Sequence, residues 1–300
     1  MEKSNYAHTK AVFQALLVTI LWSFSWVLIK FTIADIPPLI FAGLRYSVAS
    51  LILLPGLFKN MGAIQKLGKK DWWLLALLGI IYYALTQGGQ FITLQYLETT
   101  TFSLLLNFSA IIITLLGIIF LKEKPTWLQW AGMAVFFIGV LSYFSPNPLG
   151  DGTWIGYLFA VITVLSTSIG SLLGRRVNRD SSIPVAVTTG ISMSIGAVLL
   201  LAAGLIFEDF PSLSITNCLV ILCLATINTA FAFTLWNKSL QVLSAMESGL
   251  INNSMLVQIA LLSWIFLGDV LSIHAWISLL IAMLGMIMTN IKKNSTITYK

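Results

Sequence analysis

The sequence predicts an all-α membrane protein whose ten transmembrane helices form two inverted five-helix repeats. First, 58% of the 300 residues are hydrophobic and only 9% are charged, whereas soluble domains carry roughly 25% charged residues. Second, the apolar residues fall into ten runs, each long enough to cross a ~30 Å hydrocarbon layer as a helix. Third, the second half of the chain repeats the first.

The repeat is clearest in a hydrophobic hairpin at residues 94–140, which returns at residues 240–286. A constant offset of 146 residues superimposes the two segments without a gap and aligns Asn107 with Asn253. Of the 46 positions compared, 13 are identical. Because the offset is close to half of the chain length, the chain is interpreted as two copies of one unit.

The first half contains five predicted spans, and local chemistry marks their ends. Polar residues 2–10 precede the first span, and Pro38 begins the second, where a missing backbone N–H costs nothing. The polar turn at residues 122–125 separates the fourth span from the fifth. The five spans are predicted at residues 11–31, 38–58, 72–94, 99–121 and 127–145.

The second half contains the other five predicted spans. A linker rich in proline and glycine, residues 145–152, separates the halves, so the predicted domains are residues 1–147 and 148–300. Pro184 begins the seventh span, as Pro38 begins the second. The spans are predicted at residues 153–174, 184–206, 216–238, 244–267 and 273–291.

The basic residues predict the orientation in the membrane. With the N-terminus inside, 15 of the 17 lysines and arginines fall on cytoplasmic segments, which indicates that both termini are cytoplasmic. Five helices per repeat is an odd number, so the second copy must enter the membrane upside down. Inverted repeats of this kind are typical of secondary transporters. The same bias explains the net charge of +6, so the lipid bilayer is an expected partner and nucleic acid is not.

Three stretches carry a family resemblance that covers nearly the whole chain. They are residues 21–30 of the first span, residues 44–46 (Leu-Arg-Tyr) of the second, and the turn at residues 120–125, which a glycine-bearing helix follows. Together they resemble the drug/metabolite transporter superfamily, in its form with two EamA domains. The resemblance implies transport, often efflux, of small metabolites, amino acids or drugs across the inner or plasma membrane, and it implies no cofactor.

The sequence departs from the family pattern at two places. The second turn carries Asp269 where the first carries Glu123. The fourth and ninth spans also lack the proline that the family often has near the positions of Ala110 and Leu256.

Polar and aromatic residues inside the spans are the candidate substrate-binding residues, because each must find a partner or line a wet cavity. An amide- and hydroxyl-lined cavity with aromatic walls would suit a neutral or zwitterionic molecule with an apolar part. The alternative is that these side chains bond helix to helix. The candidates are Trp22, Ser25, Tyr83, Gln87, Gln90, Asn107, Thr167, Asn228, Phe233, Trp236 and Asn253.

Two charged residues, Arg45 and Glu247, are candidates for gating or coupling. Arg45 lies about 10 Å along the second span and could receive a substrate carboxylate, or it could anchor the helix at the outer face by bonding backbone carbonyls, Glu98 or Asp35. Glu247 fits a capping box with Ser244 at the start of the ninth span, and proton coupling is its alternative role. All acidic residues lie at span ends or in loops, so no mid-membrane carboxylate relay is expected.

The turn acids and the small residues of the fifth and tenth spans have structural interpretations first. An acid beside a helix start is favoured by the helix dipole, with gating or a salt bridge as a second role for Glu123 and Asp269. Small faces let helix backbones approach closely, within or between subunits. These faces are formed by Gly132 and Gly139 in the fifth span and by Ser278, Ala282, Gly285 and Thr289 in the tenth.

The sequence therefore predicts a multi-pass secondary transporter of the plasma or inner membrane that works by alternating access. It would move small amphipathic metabolites, such as amino acids or drug-like molecules, and export is the favoured direction. An uncoupled facilitator or exchanger of the same substrates is the alternative, and a monomer or a homodimer is expected. An enzyme is not expected, because the two histidines, His8 and His274, have no catalytic partners nearby in sequence. No phosphate-binding loop for ATP is present, and no metal or cofactor is expected.

Overall fold

A computed structural model describes residues 2–32, 36–97, 99–145, 152–180, 182–267 and 271–291. Across these ranges the chain is helical, and its one β-type contact is an isolated bridge between Leu97 and Gly152.

The first half contains five long helices, and a single-turn helix at Met61–Ile64 lies between the second and the third. The long helices are α1 (Glu2–Thr32), α2 (Pro38–Lys59), α3 (Lys69–Tyr96), α4 (Thr99–Asn107 continuing as Ser109–Leu121) and α5 (Trp127–Tyr143).

The second half contains five more helices in the same order. They are α6 (Trp154–Asp180), α7 (Val185–Phe207), α8 (Ile215–Ser239), α9 (Ala245–Asn253 continuing as Met255–Leu262 and Ser263–Leu267) and α10 (Ile273–Asn290).

Length and composition identify membrane spans among these helices. In the described part of the chain, nine helices are long and apolar enough to cross a bilayer. The remaining one, α5, is apolar but has only 17 residues. The prediction of an all-α membrane protein is confirmed. The count of ten spans requires the short helix α5 to cross the membrane as well.

The irregularities of the helices repeat with the same offset of 146 residues as the sequence. Both α3 and α8 contain a π-helical segment, at Gly79–Leu85 and Leu224–Phe231. A threonine accompanies each segment: Thr86 directly follows the first, and Thr229 lies within the second. Each donates a side-chain hydrogen bond of 3.0 Å to the carbonyl five residues earlier. These hydroxyls satisfy carbonyls in the wider π turns, which are frequent at functional sites.

A second pair of irregularities interrupts α4 at Phe108 and α9 at Ser254. Sequence analysis predicts both helices as continuous, so the interruptions correct that prediction. At each break the backbone ψ is near that of a 3₁₀ turn, −18° and −13°. The amide three residues later bonds to the break residue, at 3.1 and 3.0 Å. This leaves the Asn107 carbonyl free, and it accepts a 2.7 Å hydrogen bond from Asn253 Nδ2, so no proline is needed.

Helices α2 and α7 pack antiparallel between the two halves. A Cβ built on Gly43 would lie 2.6 Å from the Leu201 Cα, and one on Gly204 would lie 2.8 Å from the Ile40 nitrogen. Because the partner number falls as the residue number rises, the two helices run in opposite directions. Only glycine permits these backbones to lie so close.

Helices α5 and α10 form a second antiparallel pair. A Cβ on Gly132 would lie 2.7 Å from the Gly285 carbonyl oxygen, and one on Gly139 would lie 2.7 Å from the Ser278 carbonyl oxygen. We call this contact the glycine seam. It confirms that the small faces of these helices join helices, and it does so within one chain.

Further interhalf contacts place α1 against α8 and α9, α6 against α3 and α4, α2 against α8, α3 against α7, and α4 against α9. These helices surround a central space. Residues within or next to the π-helical segments and next to the helix breaks face this space.

Candidate functional site

A cavity of about 260 Å³ lies between the two halves and is lined by α1, α2, α3, α4, α6, α8 and α9. Eight of the eleven predicted substrate-binding residues line it: Trp22, Ser25, Gln87, Gln90, Asn107, Thr167, Phe233 and Asn253. The other three, Tyr83, Asn228 and Trp236, are buried beside it. Arg45 lines the cavity as well, whereas Glu247 is not among its lining residues.

Aromatic rings form one wall of the cavity. The ring of Phe233 lies 4.9 Å from Trp22, 5.9 Å from Tyr46 and 6.0 Å from Tyr82, between ring centroids. Trp236 lies 5.4 Å behind Trp22. Such distances are typical of attractive aromatic pairs, so the wall is a connected and buried apolar surface.

Arg45 is the one charged side chain among the lining residues that the structure describes. It is only 7% exposed. Its Nε donates to Thr229 Oγ1 at 2.7 Å, and its Nη2 lies 3.4 Å from the Asn228 carbonyl oxygen. In the described ranges no carboxylate forms an ion pair with it. The proposed partners Asp35 and Glu98 lie outside the described residues.

Amide and hydroxyl groups form the polar part of the cavity. Asn107 Nδ2 donates to the Ser103 carbonyl at 2.7 Å, and Asn253 accepts from Ser109 at 3.4 Å. Two buried oxygens, Asn107 Oδ1 and Thr167 Oγ1, have no hydrogen-bond partner within the described part of the chain. Buried polar atoms normally have a partner, so these two are available to a bound molecule.

The predicted cytoplasmic end of the bundle is closed by a group of contacts that we call the Glu123 cluster. Glu123 Oε1 accepts from Arg175 Nε at 3.2 Å and from Arg179 at 3.5 Å. Its Oε2 accepts from the Ala245 backbone nitrogen, the first residue of α9, at 2.8 Å. Arg175 also donates to the Leu240 carbonyl. The turn of the first half is thereby fixed to two helices of the second.

A second contact at the same end joins α1 to α9. His8 Nε2 lies 2.9 Å from Glu247 Oε1. Glu247 also accepts from the Ser244 nitrogen at 2.8 Å while its own nitrogen donates to Ser244 at 3.2 Å, which confirms the predicted capping box. Along α1 the cavity begins at Trp22, which is 14 residues or about 21 Å beyond His8.

The cavity also contains residues that sequence analysis missed, among them Tyr46, Tyr82 and Phe91. Tyr82 could have been found, because the offset of 146 places it on the predicted residue Asn228. Tyr46 and Phe91 directly follow the candidates Arg45 and Gln90, but neighbouring residues of a helix do not face the same way, so their positions gave no signal. No group of three potential metal ligands occurs within the described ranges.

Comparison with known proteins agrees with this architecture. Residues 9–145 and 154–291 each match the EamA-like transporter family. The chain is 26% identical to the uncharacterized transporter YoaV of Bacillus subtilis, over 93% of this chain and 96% of the relative. It is 24% identical to an S-adenosylmethionine/S-adenosylhomocysteine transporter of Chlamydia muridarum, over 88% and 86%.

Two further similarities are informative. The chain is 27% identical to a probable amino-acid metabolite efflux pump of Salmonella typhimurium, over 76% of this chain and 77% of the relative. A solved crystal structure, 17% identical, superimposes with a TM-score of 0.75 over 93% of this chain and 97% of its own, which shows the shared fold. With two matching segments that together span most of its length, the chain belongs to the EamA-like transporter family.

Proposed function

We propose that this chain is a secondary transporter, working as an exporter, of small amphipathic metabolites such as amino acids or drug-like molecules. The central cavity carries the proposal, because it lies between the halves and combines an aromatic wall with unpartnered polar atoms. The relative named as an amino-acid metabolite efflux pump supports the direction.

The proposed architecture is ten spans in two inverted five-helix repeats, residues 1–147 and 148–300, with both termini cytoplasmic. Inversion is supported by the antiparallel pairs, because an in-plane two-fold axis reverses each helix relative to its equivalent. α2 is equivalent to α7, and α5 to α10, and both pairs are antiparallel. α5 would complete the count as a short tenth span.

The proposed mechanism is alternating access, with one half rocking against the other. The cavity would be the substrate site, and the proposed substrate-binding residues are the eight predicted residues that line it. The Glu123 cluster and the His8–Glu247 contact close the predicted cytoplasmic end, about 20 Å from the cavity. This geometry supports an outward-facing state, and opening of the predicted cytoplasmic end would require both contacts to break.

Transport into proteoliposomes tests the proposal. A panel of amino acids and apolar amines or acids is offered with and without a pH gradient, and empty liposomes provide the background. We expect uptake of a subset of the panel, and substitution of Asn107 by Leu should weaken it while the exposed Arg176→Gln leaves it intact. Absence of any uptake would contradict the proposal.

The main alternative is an uncoupled facilitator or exchanger of the same substrates. The absence of a predicted carboxylate relay inside the spans favours it. A pH gradient separates the two, because uptake by a facilitator is insensitive to the gradient and stops at equal concentrations. Accumulation above the outside concentration identifies coupling.

A further inference from the structure

We infer that Arg45 binds a carboxylate group of the substrate, and that Asn107 accepts a hydrogen bond from the same molecule. The inference rests on the proposed function and specifies the substrate class of the central cavity. Nothing in the family match or in the names of the relatives assigns a role to either residue.

Arg45 brings a positive charge into a membrane span. A guanidinium within a membrane span is costly unless an anion or a wet cavity compensates it. Its two hydrogen-bond partners among the described residues, Thr229 Oγ1 and the Asn228 carbonyl, are neutral acceptors, and they engage two of its five N–H groups. In the described part of the chain no carboxylate neutralises it, so an incoming anion would supply the missing charge.

The charge of the site decides which anion fits. Arg45 is the single charged side chain among the lining residues described, so the site offers one positive charge. A monoanion balances that charge, whereas a phosphate dianion would leave an excess negative charge in a low-dielectric cavity. The planar guanidinium pairs with a carboxylate through two parallel hydrogen bonds. A carboxylate is therefore the matching group.

Asn107 carries a side-chain oxygen that has no hydrogen-bond partner among the described residues. Its Nδ2 must face the Ser103 carbonyl, because that oxygen can only accept. Oδ1 then points away as an acceptor, and it has no donor within the described ranges although the residue is only 4% exposed. An ammonium or hydroxyl group of the substrate would satisfy it. Thr167 Oγ1, also unpartnered and on the same cavity, extends this polar surface.

Cavity size and the aromatic wall specify the rest of the ligand. A volume of about 260 Å³ is below the roughly 300–1,000 Å³ of pockets for drug-sized ligands. The rings of Trp22, Tyr46 and Phe233 offer an apolar surface beside Arg45. The inferred ligand is a small carboxylate with an N–H or O–H donor and an apolar body.

Binding of four related compounds to the full chain in lipid nanodiscs tests the inference. They are L-phenylalanine, L-phenylalaninamide, 3-phenylpropanoate and 2-phenylethylamine, which differ only in the carboxylate and the amine. Calorimetry should show phenylalanine as the tightest ligand. Loss of the charge-assisted hydrogen bonds to Arg45 should weaken the amide by about 10- to 100-fold, and the amine, which has no group to pair with Arg45, should bind no more tightly than the amide.

Variants assign each group to its residue. Arg45→Gln should remove the preference for phenylalanine over its amide, and Arg45→Lys, which keeps the charge but not the fork, should retain part of it. Asn107→Leu should remove the preference for phenylalanine over 3-phenylpropanoate while the acid-over-amide preference persists. The exposed Arg176→Gln is the matched control, and thermal unfolding verifies that each variant is folded.

The outcomes separate the inference from the proposed function. Three results would each overturn the inference. They are equal binding of phenylalanine and its amide, a preference for phenylalanine that survives in Arg45→Gln, and no binding of any of the four compounds. If a neutral compound is nevertheless transported by the same preparation, the proposed function stands. A double variant tests internal pairing. If adding Asp35→Asn or Glu98→Gln to the Arg45→Gln variant restores normal binding, Arg45 is paired within the protein and the inference is also overturned.

Discussion

Replacing Glu123 by Gln should open the predicted cytoplasmic end of the bundle. The carboxylate holds Arg175 at 3.2 Å, Arg179 at 3.5 Å and the Ala245 nitrogen at 2.8 Å, and so joins the turn of the first half to α6 and α9. Glutamine has nearly the same shape and can still accept from the Ala245 nitrogen. The substitution therefore removes the charge and little else.

The size of the effect follows from the burial of the partners. Breaking a fully buried ion pair costs about 3–5 kcal/mol, but the Glu123 side chain is 12% exposed and Arg179 is 30% exposed, so solvent screens part of the interaction. We take about 2 kcal/mol for the loss, mainly through Arg175. That value would shift the equilibrium between closed and open states by about 30-fold toward the open state.

Electron–electron distance measurements between spin labels can detect this shift. Labels at the exposed Lys124 and Gln241, with Cys218 and Cys223 replaced, report the separation of the two halves at this end. The unsubstituted protein should give one short distance, and Glu123→Gln should add a longer one. An unchanged distance distribution together with unchanged transport would refute the role assigned to the Glu123 cluster.

Glu208 provides the matched control. Its carboxylate accepts from the backbone nitrogens of Leu39 at 3.1 Å and Ile40 at 2.9 Å, and so caps α2 from the end of α7. Because α2 and α7 are packed together through glycine contacts, Glu208→Gln should lower thermal stability without adding the longer distance.

Three further predictions concern stability, and thermal unfolding of the purified protein tests each of them. Gly132→Val places atoms against the Gly285 carbonyl oxygen, 2.7 Å from the built Cβ, and should cost about 1–3 kcal/mol, whereas Gly62→Val, with nothing within 4 Å, should be neutral. Asn253→Ala removes the donor to the carbonyl freed at the α4 break and should cost about 1–3 kcal/mol; an unchanged midpoint would contradict the role of this bond. His8→Leu removes the His8 contact of the buried Glu247, which keeps its bonds to Ser244, and should cost about 1–3 kcal/mol; a second substitution, Glu247→Gln, should restore part of the loss.

Much of the fold could be predicted because a membrane span is a local property of the sequence. Run length identifies a helix, and the basic loops predict its direction, without any knowledge of contacts. The offset of 146 residues also predicted that Asn107 and Asn253 are equivalent positions in the two halves. In the structure an Asn253 side-chain amide bonds to the Asn107 backbone, so the symmetry argument led to a real contact.

The details of the site were harder to predict for two physical reasons. No proline marks the breaks at Phe108 and Ser254, and the carbonyl freed at the first break is satisfied by Asn253 of the other half, far away in sequence. The pairing of His8 with Glu247 joins residues 239 positions apart, which no local pattern reveals. Tyr46 was missed because an aromatic residue in an apolar run has the same signal whether it faces lipid, core or cavity.

The glycine seam has a consequence for how the chain matures during synthesis. Gly132 of α5 has its close partner at Gly285 of α10, about 150 residues later. At a synthesis rate of roughly 5–20 residues per second, α5 must wait on the order of 10–30 s before that surface exists. α2 likewise waits for α7. The first half therefore enters the bilayer before its packing partners exist. A chaperone or insertase that covers the glycine faces of α2 and α5 during this interval would protect them from pairing with the wrong helix.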